Sequence, residues 1–342
     1  MTSQYLQIKN AEPHFVLHEG PDTLAHTPNY VRVEIINVLL SSTELNILNQ
    51  TKTVSEGLIL GGVGIGRVKD ISSARNQSQN KNITVDTVVV IGSQSPCQVC
   101  AACERERWDE CKDPQTLGLH TNGVARSEVW LHVHNLTAVE VEPDVESVRQ
   151  FLLHEIVSNG VWLATQDLIT RDSVVGIIGR PFVTQILKNV IEDLSSVEIV
   201  PIQQGVFAGF GRFDVVIDCD GETLPPEEVA KLIRPGGVLI HSYTPARASA
   251  LERATTASPL RQVELRNGPS FLAVEWIAQN PHYFKDLGAA FAFSPMGLSA
   301  LLKNEGLRET HGFLYFEMRQ EWIELSNSDQ GVVLNNPVSE VA

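Results

Sequence analysis

Positive charge is scarce in this 342-residue chain, cysteines are few, and long apolar runs are missing; each scarcity closes off a class of function. With 26 Lys and Arg against 41 Asp and Glu, the formal charge is -15 and the pI near 5.1. Such a chain repels phosphate backbones and anionic lipid at long range, and no basic stripe offsets the repulsion. Nucleic acid and membrane are therefore not expected as partners. No stretch approaches the roughly 18 consecutive apolar residues of a membrane helix, and the opening Met1-Thr2-Ser3-Gln4-Tyr5-Leu6 lacks the basic-then-apolar order of a secretory signal. The cytoplasm is the expected compartment, so the triplets at Asn76, Asn82 and Asn135 read as polar loop positions rather than glycosylation sites. The chain also lacks a G-x-S-x-G elbow, a G-x-x-x-x-G-K-[ST] phosphate loop and an H-E-x-x-H pair, along with internal repeats and low-complexity tracts.

Four of the five cysteines are gathered in one loop. Cys97, Cys100, Cys103 and Cys111 follow the spacing C-x2-C-x2-C-x7-C, which lets four sulfurs converge on one point at tetrahedral angles. Disulfides between cysteines three apart are strained, and the loop between them is crowded with charge, so the spacing predicts a structural zinc ion. A four-thiolate site leaves zinc no open position, so this metal builds a lobe, at about residues 95–113, and activates no substrate. The fifth cysteine, Cys219, lies between Asp218 and Asp220; two carboxylates raise a thiol pKa, so it reads as a packed strand-end residue and not a nucleophile.

The apolar fraction of 43% and the length suit two domains with separate cores. Val31–Leu40 and the run TVVVIG after Asp86 are β-rich, and the glycines of Gly57–Ile71 suit tight turns and close backbone approach in a small barrel. From about Val145 the character changes to alternation: strand 173–178, helix 182–194, strands 197–200 and 214–218, helix 226–233 and strand 237–241. That rhythm implies a doubly wound parallel sheet. The expected division is 1–148, 149–279 and a C-terminal segment 280–342, with a polar tail from Ser326. His132 and His134 alternate with apolar residues and read as a solvated strand edge. His154-Glu155 is a candidate acid–base pair, although neighbours on a helix point about 100° apart, which favours one buried and one solvated residue.

A β-rich lobe with a four-cysteine loop ahead of a doubly wound sheet resembles the zinc-containing medium-chain alcohol and polyol dehydrogenases, whose architecture is a GroES-like barrel plus a Rossmann-like domain. The likeness is carried by ILGGVGIGRV (59–68), PCQVCAACERERWDEC (96–111), LGLHTNGVARSEVWL (117–131), DVVIDCDGETLPPEEVAKLIRPGGVLI (214–240) and THGFLYFEMRQEWIEL (310–325). The last is similar to that family's C-terminal helix, which returns to the first lobe. The resemblance further implies a second, catalytic zinc, a nicotinamide coenzyme, and homodimers that pair edge strands, with Phe271–Gln279 as the candidate edge.

At the positions that carry chemistry the chain departs from the pattern. Ser41 stands where the first zinc ligand belongs, Asn46 where a proton-relaying His often sits, Gly62 in place of the second ligand and Val63 in place of a supporting Glu. Only His154-Glu155 keeps ligand-capable groups, so a catalytic zinc is not expected. In place of G-x-G-x-x-G the coenzyme turn reads Ile178-Gly179-Arg180-Pro181-Phe182-Val183-Thr184, with one glycine of three and an amide lost to Pro181. No acidic residue closes the following strand, Val197–Ile202, and Glu198 is out of register for the ribose. The sequence thus argues against ordinary NAD(P) binding, with Gly179 and Arg180 the residues left to meet a phosphate. Two functions are expected: a small-molecule-binding or non-redox protein (a pseudoenzyme), or a zinc-independent NAD(P)H oxidoreductase of a small carbonyl or alcohol, its pocket polar through Thr43, Glu44, His154 and Glu155.

Overall fold

The computed structural model describes residues 2–9, 12–19, 29–48, 53–71, 83–105, 107, 110–140, 148–202, 211–219, 223–242, 245–254, 260–284, 291–292 and 314–317. The tail from Ser326, Asn76, Asn82 and Asp220 lie outside these residues.

An antiparallel hairpin, β1 (Thr2–Lys9) and β2 (Glu12–Glu19), precedes the first sheet. That sheet is built on β3 (Tyr30–Leu40), β4 (Val63–Ile71), β5 (Val88–Ile91), β8 (Glu128–His132) and β9 (Leu136–Ala138), with the helix α1 (Ser42–Leu48) after β3. Between β5 and β8 the short pair β6 (Gln94–Ser95) and β7 (Gln115–Thr116) frames the cysteine loop. Along β3, Val31, Val33 and Ile35 are buried every second residue, the period of a strand with one face on a core. Register shifts between Ile35 and Asn37 let both faces be buried beyond that point. There Val38 and Leu40 join the barrel core while Leu39 joins Val63 and Ile65 in a second core.

The second sheet is parallel, in the order β11 (Ile199–Pro201), β10 (Val175–Ile178), β12 (Phe213–Asp218), β13 (Ile233–His241), β14 (Arg261–Glu264). All four residues of β10 and all six of β12 are buried, as expected of strands covered on both faces. Helices α2 (His154–Thr165) and α3 (Pro181–Ser195) pack so closely that a Cβ on Gly160 would lie 2.7 Å from a Val190 methyl. α4 (Pro226–Leu232) starts on Pro226 with Glu227 and Glu228 in its first turn, as its sequence signals predict. α5 (Pro245–Ala254) follows β13. Residues 202–212 alone join β11 to β12, fewer than the dozen or so of a helical crossover.

The second core welds the lobes. Leu39, Val63, Ile65, Val88 and Val90 from the first sheet meet Phe151, Leu152, Val157, Ile186, Val190 and Trp276. Trp276 belongs to α6 (Ser270–Gln279), so Phe271–Gln279, read as an edge strand, is a helix; its residues Ala273, Val274, Trp276 and Ile277 face inward at helical spacing. The last described strand on that side of the sheet is β14. The C-terminal expectation is corrected too. Phe291–Ala292 (β15) pairs with Leu314–Glu317 (β16), and β16 runs antiparallel to β3. The described residues Leu314–Glu317 are a strand and not a helix, paired antiparallel with Asn37–Leu40 of β3, where the aromatic residues Tyr315 and Phe316 suit a sheet.

The two histidines do not form a solvated edge. His132 is 4% exposed at the end of β8, edge-on to the Tyr30 ring at 5.7 Å, while His134 has left the strand in a short 3-10 turn. The N–H of His134 donates to His132 Nδ1 at 3.2 Å. Burial, aided by repulsion from His134, holds His132 down to about 4. Below pH 6.5 the unfolded chain binds a proton that the folded chain refuses, so stability rises with pH between about 4 and 6.5 and is lost as pH falls through that window. His132→Asn keeps an acceptor and removes the titration. It should flatten the slope of melting temperature against pH in that window; an unaltered slope would refute the assignment.

Candidate functional site

The cysteine loop closes as its spacing predicts. The sulfurs of Cys97, Cys100, Cys103 and Cys111 all lie within 4.8 Å of one another, and Cys97 and Cys103 are 3.9 Å apart. Zinc–sulfur bonds of 2.3 Å at tetrahedral angles put sulfurs about 3.8 Å apart, so the set fits a structural zinc site. None of the four is in a disulfide. Backbone N–H groups of Cys103 and Lys112 draw Cys100 down to about 6 while burial pushes Cys103 up to about 12, since four adjacent sulfurs cannot all ionise without a cation. Gln98, at the tip, donates to the Tyr30 hydroxyl at 2.6 Å and ties the lobe to β3.

The segments around Ser41, Gly62 and His154-Glu155, where the resemblance implies a second metal, lie near one another and are joined through hydrogen bonds of Glu44 and Glu155. Ser41, the residue before α1, caps that helix: its Oγ accepts from the N–H of Thr43 at 3.2 Å, and its own N–H donates to Glu44 Oε2 at 2.9 Å. This is the S-x-x-E capping box, legible at Ser41-Ser42-Thr43-Glu44, a signal that identifies Glu44's first task. The Ser41 hydroxyl also bonds Glu44 Oε2. The other oxygen, Oε1, leaves the helix and accepts from the N–H of Gly62 at 2.8 Å. Glu44 is buried, which pushes its pKa up; the hydrogen bonds from Ser41 and Gly62 oppose the shift without cancelling it.

Beyond Gly62 lies Ser93, whose N–H donates to Glu155 Oε1 at 2.6 Å. Glu155 is half-buried and His154 fully so, and they do not pair with each other. His154 Nδ1 lies 3.0 Å from the Phe151 carbonyl, and Nε2 is turned toward Gly92, without a hydrogen-bond partner among the described residues. A Cβ on Gly92 would lie 3.6 Å from Glu155 Oε1 and 3.8 Å from His154 Nε2. Burial holds His154 neutral by lowering its pKa. The expected split into one buried and one solvated residue is thus half right: Glu155 is held by the Gly92-Ser93 turn. Thr43 and Asn46 are half-buried on α1, and Val63 is core.

These residues do not fit a catalytic zinc. Both Glu44 oxygens and the Ser41 oxygen are engaged in protein hydrogen bonds, Gly62 has no side chain, and Glu155 is bound to a backbone amide. Among the described residues, the four cysteines form the only metal-competent cluster of His, Cys, Asp and Glu.

At the carboxyl end of β10, where a doubly wound sheet takes its ligand, Gly179 has φ 148°, a conformation open to glycine. Arg180 precedes α3, and Pro181, which has no N–H to offer, opens it. The Thr184 N–H is already given to the Arg180 carbonyl at 3.0 Å. Val183, partly buried, packs against the sheet core, and Phe182, also partly buried, against the core between the lobes. Across the sheet, β12 ends in fully buried Asp218 with Arg247 of α5 at 3.6 Å, and half-buried Cys219 packs against the sheet core, its N–H given to Ile178. A cleft of about 390 Å³ lies apart from all of this, at the β14 edge, lined by Trp162, Asp167, Arg261, Glu264 and Arg266.

No protein-family model and no curated protein matches the sequence. Solved structures match closely in fold. Galactitol-1-phosphate dehydrogenase from Escherichia coli aligns over 93% of this chain and all of its own with a TM-score of 0.67 at 13% identity. Alcohol dehydrogenase TADH from Thermus sp. aligns over 92% and 100% with 0.68 at 14%. CAD from Helicobacter pylori, complexed with NADP(H), aligns over 94% and 99% with 0.67 at 13%. The chain therefore has the two-sheet fold of the zinc-dependent medium-chain alcohol and polyol dehydrogenases, at an identity that establishes architecture alone.

Proposed function

We propose that this protein is a diverged relative of those dehydrogenases that keeps the structural zinc, has given up zinc-assisted hydride transfer, and binds a small molecule or does non-redox work in the old cleft. The observation that carries the reading is the coenzyme turn. A pyrophosphate sits on small residues and free amides at a helix N-terminus. Here one glycine remains, Pro181 contributes no N–H, and the next two side chains are committed to cores on either side. The non-acidic end of β11, Val200-Pro201-Ile202, supports the same reading, because Ile202 is buried against Gly176 and offers the ribose no acceptor. In the cleft, Thr43, Glu44, His154 and Glu155 are the polar groups nearest a ligand, half-buried Thr43 and Glu155 open to contact and buried Glu44 and His154 behind them.

In this reading residues 1–148 and the returning segment 280–342 form the barrel lobe and 149–279 the second lobe, and the structural zinc sits in 95–113. A second copy of the chain is the expected partner. Arg261-Gln262-Val263-Glu264, paired antiparallel with itself about its centre, would set Arg261 opposite Glu264 twice.

Titration with NADH and NADPH, followed by nicotinamide fluorescence, tests the proposal. The expected result is no saturable binding below the millimolar range. Micromolar binding would favour the other reading, a zinc-independent reductase that holds coenzyme through Arg180 and the amides of Phe182 and Val183.

A further inference from the structure

We infer that the Glu44 carboxyl group has replaced the second metal as the crosslink between the two loops the metal once joined. Ser41 and Gly62 are the positions of the first two ligands in the resembling dehydrogenases, and Glu44 is hydrogen-bonded to both, through Oε2 to Ser41 and through Oε1 to Gly62.

An ordinary capping box explains half of this and leaves the other half over. Reaching back to the Ser41 N–H needs one oxygen of the Glu. The second oxygen spans 18 positions of sequence to reach Gly62 on a different loop, and the bond it makes is buried. The absent side chain at 62 is part of the same arrangement. A Cβ there would lie 3.2 Å from Glu44 Oε1 and 3.2 Å from the Leu117 carbonyl, so the carboxyl group fills the space a histidine would have entered. At Ser41 the hydroxyl serves as both acceptor, from Thr43, and partner to Glu44. A zinc ion links such loops by bonds to side chains; a carboxyl group links them by bonds to backbone N–H groups, which every residue but proline supplies. Loss of the metal ligands and retention of the loop geometry are then compatible.

The inference rests on the reading that this cleft holds no metal, and it stands whether or not coenzyme binds. Five proteins test it. The parent chain should hold one zinc per chain; two would overturn the reading on which the inference rests. Glu44→Gln keeps an acceptor and a similar shape, whereas Glu44→Asp is one methylene shorter and is expected to cap Ser41 without reaching Gly62. Amide hydrogen exchange at Gly62 should therefore accelerate at least tenfold in Glu44→Asp and much less in Glu44→Gln, while exchange in the cysteine lobe stays as in the parent. Equal exchange at Gly62 in parent and Glu44→Asp would overturn the inference and leave the metal-free reading intact. Finally, Ser41→Cys/Gly62→His should stay at one zinc because Glu44 occupies the place, and Ser41→Cys/Gly62→His/Glu44→Asp should rise to two. A double variant that already holds two, or a folded triple variant that stays at one, would equally overturn it.

Discussion

Protein carrying Cys103→Ser is expected to lose its zinc, from one equivalent per chain to less than about a tenth, since three thiolates hold zinc far less tightly than four. With it should go the fold of the lobe. Of the described residues between 95 and 113, only Pro96 and Cys103 are buried, so the described residues of the lobe supply no apolar core to set against the entropy of ordering the chain. What remains is the metal, worth on the order of 10 kcal/mol in small zinc domains of this ligand type. Limited trypsin digestion should then cut at Arg105 and Arg107, which are exposed in the intact lobe yet held in its turns. The rest of the molecule should keep its far-ultraviolet dichroism, because the barrel core and the core between the lobes draw on no residue of the cysteine loop. Full zinc content in Cys103→Ser, or unchanged cleavage, would contradict the assignment of a four-thiolate site. The Gln98–Tyr30 hydrogen bond predicts a smaller effect beyond the lobe, felt at the start of β3.

The second large effect should come from Gly123→Ala. The loop segment Leu60-Gly61-Gly62 passes so close to Gly123 that a methyl group there would lie 2.2 Å from the Gly61 carbonyl oxygen and 2.4 Å from that of Leu60. Both are backbone atoms, locked by hydrogen bonds to Val124 and Ala125, and neither can turn away as a side chain would. Overpacking of this kind costs about 3 kcal/mol, or a drop of several degrees in melting temperature. Any relaxation moves Gly62, so the N–H given to Glu44 should be disturbed with it. A variant with the parent's melting temperature and the parent's amide exchange at Gly62 would contradict this close packing of Gly123 on the Leu60-Gly61 backbone. Gly123 and Gly62 thus tie the barrel's packing to the candidate site. The functional consequence is that this site is positioned by backbone and not by side-chain ligands.

How much of this was legible beforehand depends on how local each determinant is. The cysteine site was readable because ligand spacing within one loop dictates geometry. So was the parallel sheet, whose strands are nearly continuous apolar runs, and α4, bracketed by Pro225-Pro226 and the Arg234-Pro235-Gly236-Gly237 run. The misreadings share a cause. Phe271–Gln279 and Leu314–Glu317 are short apolar segments whose helix or strand state is settled by what covers them, α6 by the core between lobes and β16 by the edge of β3. At His132 the alternation tells which residues share a face, not which face meets water, and the structure buries it. The Glu44 crosslink was half visible: its capping box is written in four consecutive residues, but its reach to Gly62 is a meeting of separate loops.

What the amino-acid order determined by itself, then, is everything that depends on neighbours along the chain: the four-thiolate lobe, the alternating helices and strands, the capped start of α1, and the loss of small residues at the Gly179–Thr184 turn. What only the tertiary structure decided is which separated groups touch. The Gly61–Gly62 loop lies against Gly123 and Glu44, and Glu155 against Ser93, because the core shared by β3, β4, α2 and α6 holds the lobes together. That core acts over distances no local pattern encodes, and it places Glu44 between Ser41 and Gly62.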